Sequence, residues 1–99
     1  MNFIHQNNLA TLSGDINFAN VVKLRRLGEA AMDKITELSF DFSAVHQCDS
    51  SALALLIAWQ RYAKKNLKII HFLQVPASLV AFAKVCNVQD ILALSNIYH

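Results

Sequence analysis

The chain has 99 residues, of which 55% are hydrophobic and 16% charged, with a formal net charge of +2 at pH 7. This length supports one domain at most, and so apolar a composition excludes a disordered chain. The two glycines, Gly14 and Gly28, exclude glycine-rich phosphate-binding loops, and the slight charge gives no indication of nucleic-acid binding. We therefore expect residues 1–99 to form a single domain.

The first third of the chain predicts a β-hairpin followed by a helix. Short β-compatible runs at residues 3–5 and 9–12 are separated by residues 6–8, which include two asparagines. Asparagine tolerates the left-handed backbone conformation that tight turns require. Apolar residues then recur at helical spacing over residues 18–35, so we predict the first helix there.

The middle of the chain alternates strands and helices. Residues 37–42 alternate apolar with polar side chains, the period-two pattern of a strand. Residues 49–51 supply N-cap side chains for a helix over residues 52–65, which contains no glycine or proline. A second strand over residues 67–73 and a third helix over residues 77–86 follow.

The last segment, residues 91–98, is compatible with a further strand or with an extension of the third helix. The predicted order is β-β-α-β-α-β-α-β, an α/β fold. Alternation of this kind implies βαβ crossovers, a mixed and mostly parallel sheet, and helices packed mainly on one face. Asn66 and Asn87 follow the second and third helices, where a left-handed C-cap residue is expected.

Metal binding and catalysis find little support in the residue pattern. The four histidines lie one per segment, at His5, His46, His71 and His99. No metal ligand set or cofactor is predicted, and Cys48 and Cys86, 38 positions apart, are expected to be buried free thiols. A small hydrolase using His46, Cys48 and Asp49 is an alternative, but the chain lacks a GxSxG elbow.

The start of the second predicted helix is the strongest candidate for a functional site. A serine at a strand-to-helix junction lies beside unpaired backbone N–H groups and the positive end of the helix dipole. Ser50 could simply cap the helix, could bond to a partner as an unmodified hydroxyl, or could accept a phosphoryl group, which the helix end stabilises while Asp49 opposes it.

One ridge of the same helix is predicted to face solvent. At 100° per residue, Ser50, Ala54, Ile57 and Arg61 share this ridge. Leu53 and Ile57 are either part of a docking surface or a widening of the buried stripe. The opposite side is predicted to be core and comprises Ala52, Leu55, Leu56, Trp59 and Ala63.

The apolar surplus and the N-terminal sequence bear on partners and location. A domain this small cannot bury all its apolar residues, so a partner that covers some of them is expected. The N-terminus lacks a signal-peptide pattern, and the longest uncharged stretch, residues 69–83, is too short to span a bilayer. We expect a cytosolic protein whose membrane association is indirect.

The pattern resembles a STAS domain. The family's strand ending, D-hydrophobic-S, is matched by Asp41-Phe42-Ser43, and residues 44–48 stand where it has a short variable turn. Its D-[ST]-[SG]-[GA]-L helix start is matched by Asp49-Ser50-Ser51-Ala52-Leu53. Further similarities are Leu12-Ser13-Gly14-Asp15-Ile16 and Val75-Pro76 before the third helix. Ala52 stands where many members have glycine.

The resemblance implies a STAS fold over residues 1–99, no catalytic residues, and a partner surface centred on Asp49, Ser50, Ser51, Ala54, Ile57 and Arg61. In anti-sigma-factor antagonists of this family, the serine matching Ser50 is phosphorylated by a partner kinase. In the lipid-asymmetry (Mla) transporter of Gram-negative bacteria, a small STAS subunit binds the ATPase subunit and supports its activity.

Between these groups, the sequence is more similar to the MlaB-like transporter subunits. Leu53-Ala54-Leu55-Leu56 and Ala63-Lys64-Lys65 resemble the L-A-L-L and A-K-K of that subgroup. The resemblance implies an MlaF-like ABC transporter ATPase as partner, reached at the inner membrane together with its permease. The alternative is an anti-sigma factor antagonist, switched by phosphorylation of Ser50, with a serine kinase or anti-sigma factor as partner.

Overall fold

The structure, a computed structural model that describes residues 1–86, is an α/β fold with the element order β-β-α-β-α-β-α. This order confirms the predicted fold class. The predicted strand over residues 91–98 and the C-cap at Asn87 lie outside the described residues. The elements are β1 (Asn2–Gln6), β2 (Leu9–Ile16), α1 (Val21–Asp33), β3 (Glu37–Cys48), α2 (Ser51–Lys65), β4 (Ile69–Leu73) and α3 (Ala77–Val85).

The four strands form one mixed sheet in the order β1-β2-β3-β4. The pair β1–β2 is the predicted antiparallel hairpin, and its turn places Asn7 at φ 54°. The pairs β2–β3 and β3–β4 are parallel, with Leu9 opposite Ser39 and Glu37 opposite Ile69. Parallel neighbours require crossovers, and α1 and α2 supply them.

The core lies between one face of the sheet and the helices. Along β3 the buried side chains are Leu38, Phe40 and Phe42, which alternate with more exposed polar residues. Trp59 of α2 stacks on Phe40, with ring centroids 4.1 Å apart and an interplanar angle of 11°. This contact fixes α2 over the centre of the sheet, so that its first residue lies at the carboxyl end of β3.

Several boundaries differ from the prediction, and two of the differences lie beside the candidate site. Residues 44–48, expected to form a turn, extend β3 because β2 continues alongside: Ala44 pairs with Ser13 and Cys48 with Ile16, after register shifts. Helix α1 begins at Val21 rather than at residue 18. Asparagine side chains hold a turn before it, since the Oδ1 of Asn17 accepts from Ala19 N at 2.9 Å.

The end of α2 corrects the prediction for Asn66. Asn66 has φ −103°, whereas the left-handed residue is the next one, Leu67, with φ 57°. The reversal is closed by Lys68 N, which donates to Ala63 O at 2.7 Å. The Nδ2 of Asn66 donates to Tyr62 O at 2.8 Å, and the backbone N of Asn66 donates to the same oxygen at 3.1 Å, so the asparagine caps α2 through both groups.

Leu67→Gly is expected to stabilise the fold. A left-handed conformation costs a residue with a Cβ about 1–2 kcal/mol, part of which is offset by the greater freedom of glycine in the unfolded chain. We expect the free energy of unfolding to rise by about 0.5–1 kcal/mol. Urea denaturation measures it, and Asn66→Gly is the matched control. A gain for Asn66→Gly in place of Leu67→Gly would contradict the assignment.

Candidate partner-binding surface

Asp49 organises the junction between β3 and α2. Its backbone N donates to Ile16 O at 3.2 Å, which anchors it to β2. Its Oδ1 accepts from Ser51 N at 2.9 Å and from the Ser51 hydroxyl, and its Oδ2 accepts from Phe18 N at 3.3 Å. Asp49 therefore caps α2 and at the same time ties the turn before α1 to the start of α2.

Ser50 occupies the N-cap position, but its hydroxyl makes no capping hydrogen bond. The simple capping role considered for Ser50 is therefore wrong. The N–H groups of Ala52 and Leu53, which an N-cap side chain would reach, donate to the backbone oxygens of Asp49 and Ser50. The Ser50 side chain is exposed. Because this hydroxyl makes no capping hydrogen bond and lies at the positive end of a helix, it is available to bond with a partner.

Hydrogen bonding lowers the pKa of the Asp49 carboxyl. The largest cause is the Ser51 hydroxyl, followed by the backbone N–H of Ser51. Both donors favour the ionised form of the carboxylate that they bind. The junction therefore carries a negative charge at neutral pH.

The Asp49 cap makes stability depend on pH. The folded pKa lies below the unfolded value of about 4, so the carboxylate's contribution is complete at neutral pH and is lost as pH falls through the folded pKa. We expect Asp49→Ala to lower the free energy of unfolding at neutral pH. The difference in this free energy between the variant and the native chain should become smaller below about pH 4. Urea unfolding of both proteins at a series of pH values, from neutral to below about pH 4, measures this difference.

Ser51→Ala is the companion variant, because it removes the strongest donor to the carboxylate while keeping the acid. It should move the onset of the acid-induced loss toward higher pH. The capping role of the carboxylate would be contradicted if the native chain and Asp49→Ala differed by the same free energy of unfolding at every pH.

The predicted ridge of α2 is only partly exposed. Ala54 and Arg61 are exposed, and Ile57 is half-buried against the core. Leu53 is buried, so the alternative that it widens the buried stripe is confirmed. The predicted core side is also confirmed, with all five members buried: Ala52, Leu55, Leu56, Trp59 and Ala63.

An exposed apolar strip beside the ridge was missed by the sequence analysis. Phe18 is 82% exposed and Val22 52% exposed. Phe18 lies next to the junction, because its backbone N–H is bound to Asp49. A shallow groove of about 220 Å³ between α1 and α2 continues from Val22 to Ala54. The available signal was the pair Asn17 and Asn20, whose side chains form the turn that delays the start of α1 to Val21.

The thiols are not buried as predicted. Cys48 is half-buried at the end of β3, and Cys86 is exposed after α3. Burial raises the pKa of the Cys48 thiol, with the Asp49 charge acting in the same direction and a hydrogen bond with Ser78 opposing both. A thiol held protonated is a poor nucleophile. This counts against the alternative of a hydrolase built on Cys48.

Residues 1–86 contain neither a candidate metal cluster nor a candidate membrane span. No group of three or more histidine, cysteine, aspartate or glutamate side chains could hold a metal ion there. Over the same residues, no helix combines the length and the apolar character needed to cross a membrane.

Comparisons with known proteins agree with this architecture. The family model described as "Mlab, STAS domain" matches residues 6–94. The unphosphorylated anti-sigma factor antagonist SpoIIAA is similar in structure, with TM-score 0.65 and 16% identity over 88% of this chain and 81% of that one. A candidate anti-sigma factor antagonist of Thermotoga maritima has TM-score 0.74 and 12% identity over 99% and 85%. No curated protein matches the chain.

Proposed function

Because the chain belongs to the STAS domain family, we propose that it is a non-enzymatic subunit of an ABC-type phospholipid transport system. In this role residues 1–99 form one STAS domain that binds the ATPase subunit and supports its assembly and activity. Such a system maintains outer-membrane lipid asymmetry. Support comes from the family model that matches, which carries the Mlab description.

The observation that carries the binding role is the exposed Ser50 hydroxyl, which no capping bond occupies. The surrounding surface consists of a rigid helix start and its solvent-facing ridge. A partner pressed against it would bury an apolar strip as well as polar groups, as protein interfaces do. The proposed contact residues are Asp49, Ser50, Ser51, Ala54, Ile57 and Arg61.

The sequence of the chain bears on which subunit of the complex would bind and hydrolyse ATP. With two glycines in 99 residues, it cannot build a glycine-rich nucleotide loop of its own. ATP binding and hydrolysis therefore belong to the MlaF-like partner. In this proposal the subunit is cytoplasmic and lies at the inner membrane only through that ATPase and its permease.

A second candidate, an anti-sigma factor antagonist, is favoured by the two solved structures described above. In that function Ser50 would be phosphorylated by a serine kinase. A phosphate there would meet the favourable helix end, but the ionised Asp49 carboxylate next to it would oppose the added charge. The two candidates share one surface and differ in what binds it.

Affinity purification from detergent-solubilised native cells separates them. The tagged chain should recover an ABC ATPase together with a permease, and mass spectrometry should show Ser50 unmodified. Recovery of a serine kinase or an anti-sigma factor with phosphorylated Ser50 would establish the second candidate and refute the first. A tagged Ser50→Glu chain, purified in parallel, is the control for recovery through this surface.

A further inference from the structure

The end of the molecule opposite the β3–α2 junction is rich in lysine. Helices α1 and α2 finish side by side there, because the Tyr62 hydroxyl donates to Asp33 Oδ1 at 2.6 Å. The start of β4 joins them, because Ile69 N donates to Thr36 O at 2.9 Å, just after the end of α1. These contacts bring together the residues that we call the basic end: Lys34, Lys64, Lys65, Leu67, Lys68 and Ile69.

The four lysines of the basic end are not paired with acidic side chains. Three of them are exposed, and Lys68 is half-buried. Within residues 1–86, no carboxylate forms an ion pair with any of the four. Asp33 and Glu37, the acidic residues that flank this surface, hydrogen-bond to other side chains instead. The helix dipole favours lysines at the end of α2, but it leaves their outward charge available to an anionic partner.

Leu67 lies among these lysines in a conformation that costs free energy. Its side chain is 86% exposed, and its backbone is left-handed with φ 57°. Residues with a Cβ are disfavoured in that conformation, whereas glycine adopts it readily. Folding therefore does not explain a leucine here, and strain of this kind is typical of functional surfaces. Ile69, which is 54% exposed, adds a second aliphatic side chain to the basic end.

Lysines around an exposed leucine match the chemistry of an anionic lipid surface. Ammonium groups attract headgroup phosphates, and aliphatic side chains enter the boundary between the headgroups and the acyl chains. A nucleic acid would also attract the lysines, but proteins recognise its bases by aromatic stacking and hydrogen bonding. The basic end as defined contains no aromatic residue. Its exposed aliphatic side chains therefore favour lipid over nucleic acid.

We propose that the basic end contacts the surface of an anionic phospholipid bilayer, with Leu67 among the headgroups and the lysines beside their phosphates. Four lysines give a dissociation constant of about 1 mM in accessible lipid, too weak to hold the free chain at a membrane. The inference goes beyond the proposed function: the ATPase brings the chain to the membrane, and the contact then orients it there. Because α2 has 15 residues, a length of about 22 Å, its two ends can be occupied at the same time.

Vesicle flotation with the purified full chain tests the contact. The probes are vesicles of equal parts phosphatidylcholine and phosphatidylglycerol at several millimolar lipid, and vesicles of phosphatidylcholine alone as the neutral comparison. The native chain should float with the anionic vesicles and not with the neutral ones. Binding to neither kind of vesicle, or equally to both, would overturn the proposal.

A matched pair of charge reversals locates the contact on the molecule. Lys65 ends α2, whereas Lys23 lies in the first turn of α1 at the other end of the molecule, and both are exposed. Lys65→Glu and Lys23→Glu lower the net charge equally, and circular dichroism checks that both variants are folded. Lys65→Glu should weaken binding to the anionic vesicles about tenfold or more, and Lys23→Glu much less. Equal losses would show an effect of net charge alone and would refute the basic end as the site.

Leu67→Gly distinguishes a lipid surface from another polyanion. The variant keeps every charge and is expected to be more stable than the native chain, so unfolding would not explain a loss of binding. Its binding to the anionic vesicles should fall severalfold, whereas Asn66→Gly, at the neighbouring polar position, should bind like the native chain. Native binding by Leu67→Gly would mean that charge alone makes the contact, as with a nucleic acid, and would overturn the proposal. Because the assay contains no ATPase, that failure would leave the transporter function unaffected.

Discussion

Gly28→Ala is expected to destabilise the chain by about 3 kcal/mol, a large share of the stability of a small domain. Gly28 is buried in α1, where alanine would ordinarily be favoured over glycine by about 1 kcal/mol. Here an added Cβ would overlap Nε1 and Cε2 of Trp59 and would lie 2.7 Å from its Cζ2. At this position glycine is therefore favoured over alanine, the reverse of their usual order inside a helix.

Trp59 cannot move aside without losing other contacts. Its ring stacks on Phe40, and its Nε1 donates to Arg25 O at 3.1 Å across the α1–α2 interface. Displacing the ring would cost both the stacking and this partly buried hydrogen bond. The alanine methyl must instead push α1 away from α2, and that opens the core.

A double-mutant cycle with Trp59→Leu checks the cause. Trp59→Leu alone should be destabilising, but adding Gly28→Ala to it should cost much less than in the native chain, because the leucine side chain ends before the positions of the overlapping indole atoms. Chemical denaturation of the native chain, the two single variants and the double variant gives the coupling free energy between the two positions. Equal costs of Gly28→Ala in both backgrounds would show that the clash with Trp59 is not the cause.

The sequence predicted the order of elements because each one has a strong local pattern. The alternation of residues 37–42 and the apolar stripe of residues 52–65 are short-range signals, and both were confirmed. The close approach at Gly28 has no local signal, since it depends on Trp59, which lies 31 positions further along the chain. Long-range packing of this kind can be read only from the structure.

The two wrong predictions, a turn at residues 44–48 and a left-handed residue at Asn66, also result from contacts that are not local in sequence. Residues 44–48 have a strand partner because β2 is long enough to reach them, a property of a distant segment. Leu67 takes the left-handed position although the adjacent Asn66 has the better propensity, because Lys68 N must reach Ala63 O. In both places a tertiary constraint overrides a local preference.

The sequence predicted capping chemistry at the start of α2, but it did not identify which side chain makes the cap. The junction of residues 49–51 carries the predicted capping chemistry, with Asp49 rather than Ser50 as the capping side chain. The exposed position of Phe18 depends on a bond between residues 31 positions apart. Side-chain partners at such separations are not encoded in helical or strand periodicity.

Ser50→Glu is expected to weaken binding to the ATPase partner about a hundredfold, equivalent to about 2.7 kcal/mol, while leaving the fold intact. The fold should tolerate the change because the Ser50 hydroxyl makes no capping bond and its side chain is exposed. The interface should not, because the larger side chain brings a second negative charge beside Asp49 where a partner approaches closely. Buried like charges are among the costliest interface changes.

Ser43→Glu is the matched control for this prediction. Ser43 is also exposed, but it lies on β3 five residues before its end, away from the start of α2. Surface plasmon resonance with the purified ATPase should show near-native affinity for Ser43→Glu. Ser50→Ala, which removes the hydroxyl but adds neither bulk nor charge, should lose less affinity than Ser50→Glu. Native affinity of a well-folded Ser50→Glu chain would place the partner surface elsewhere on the molecule.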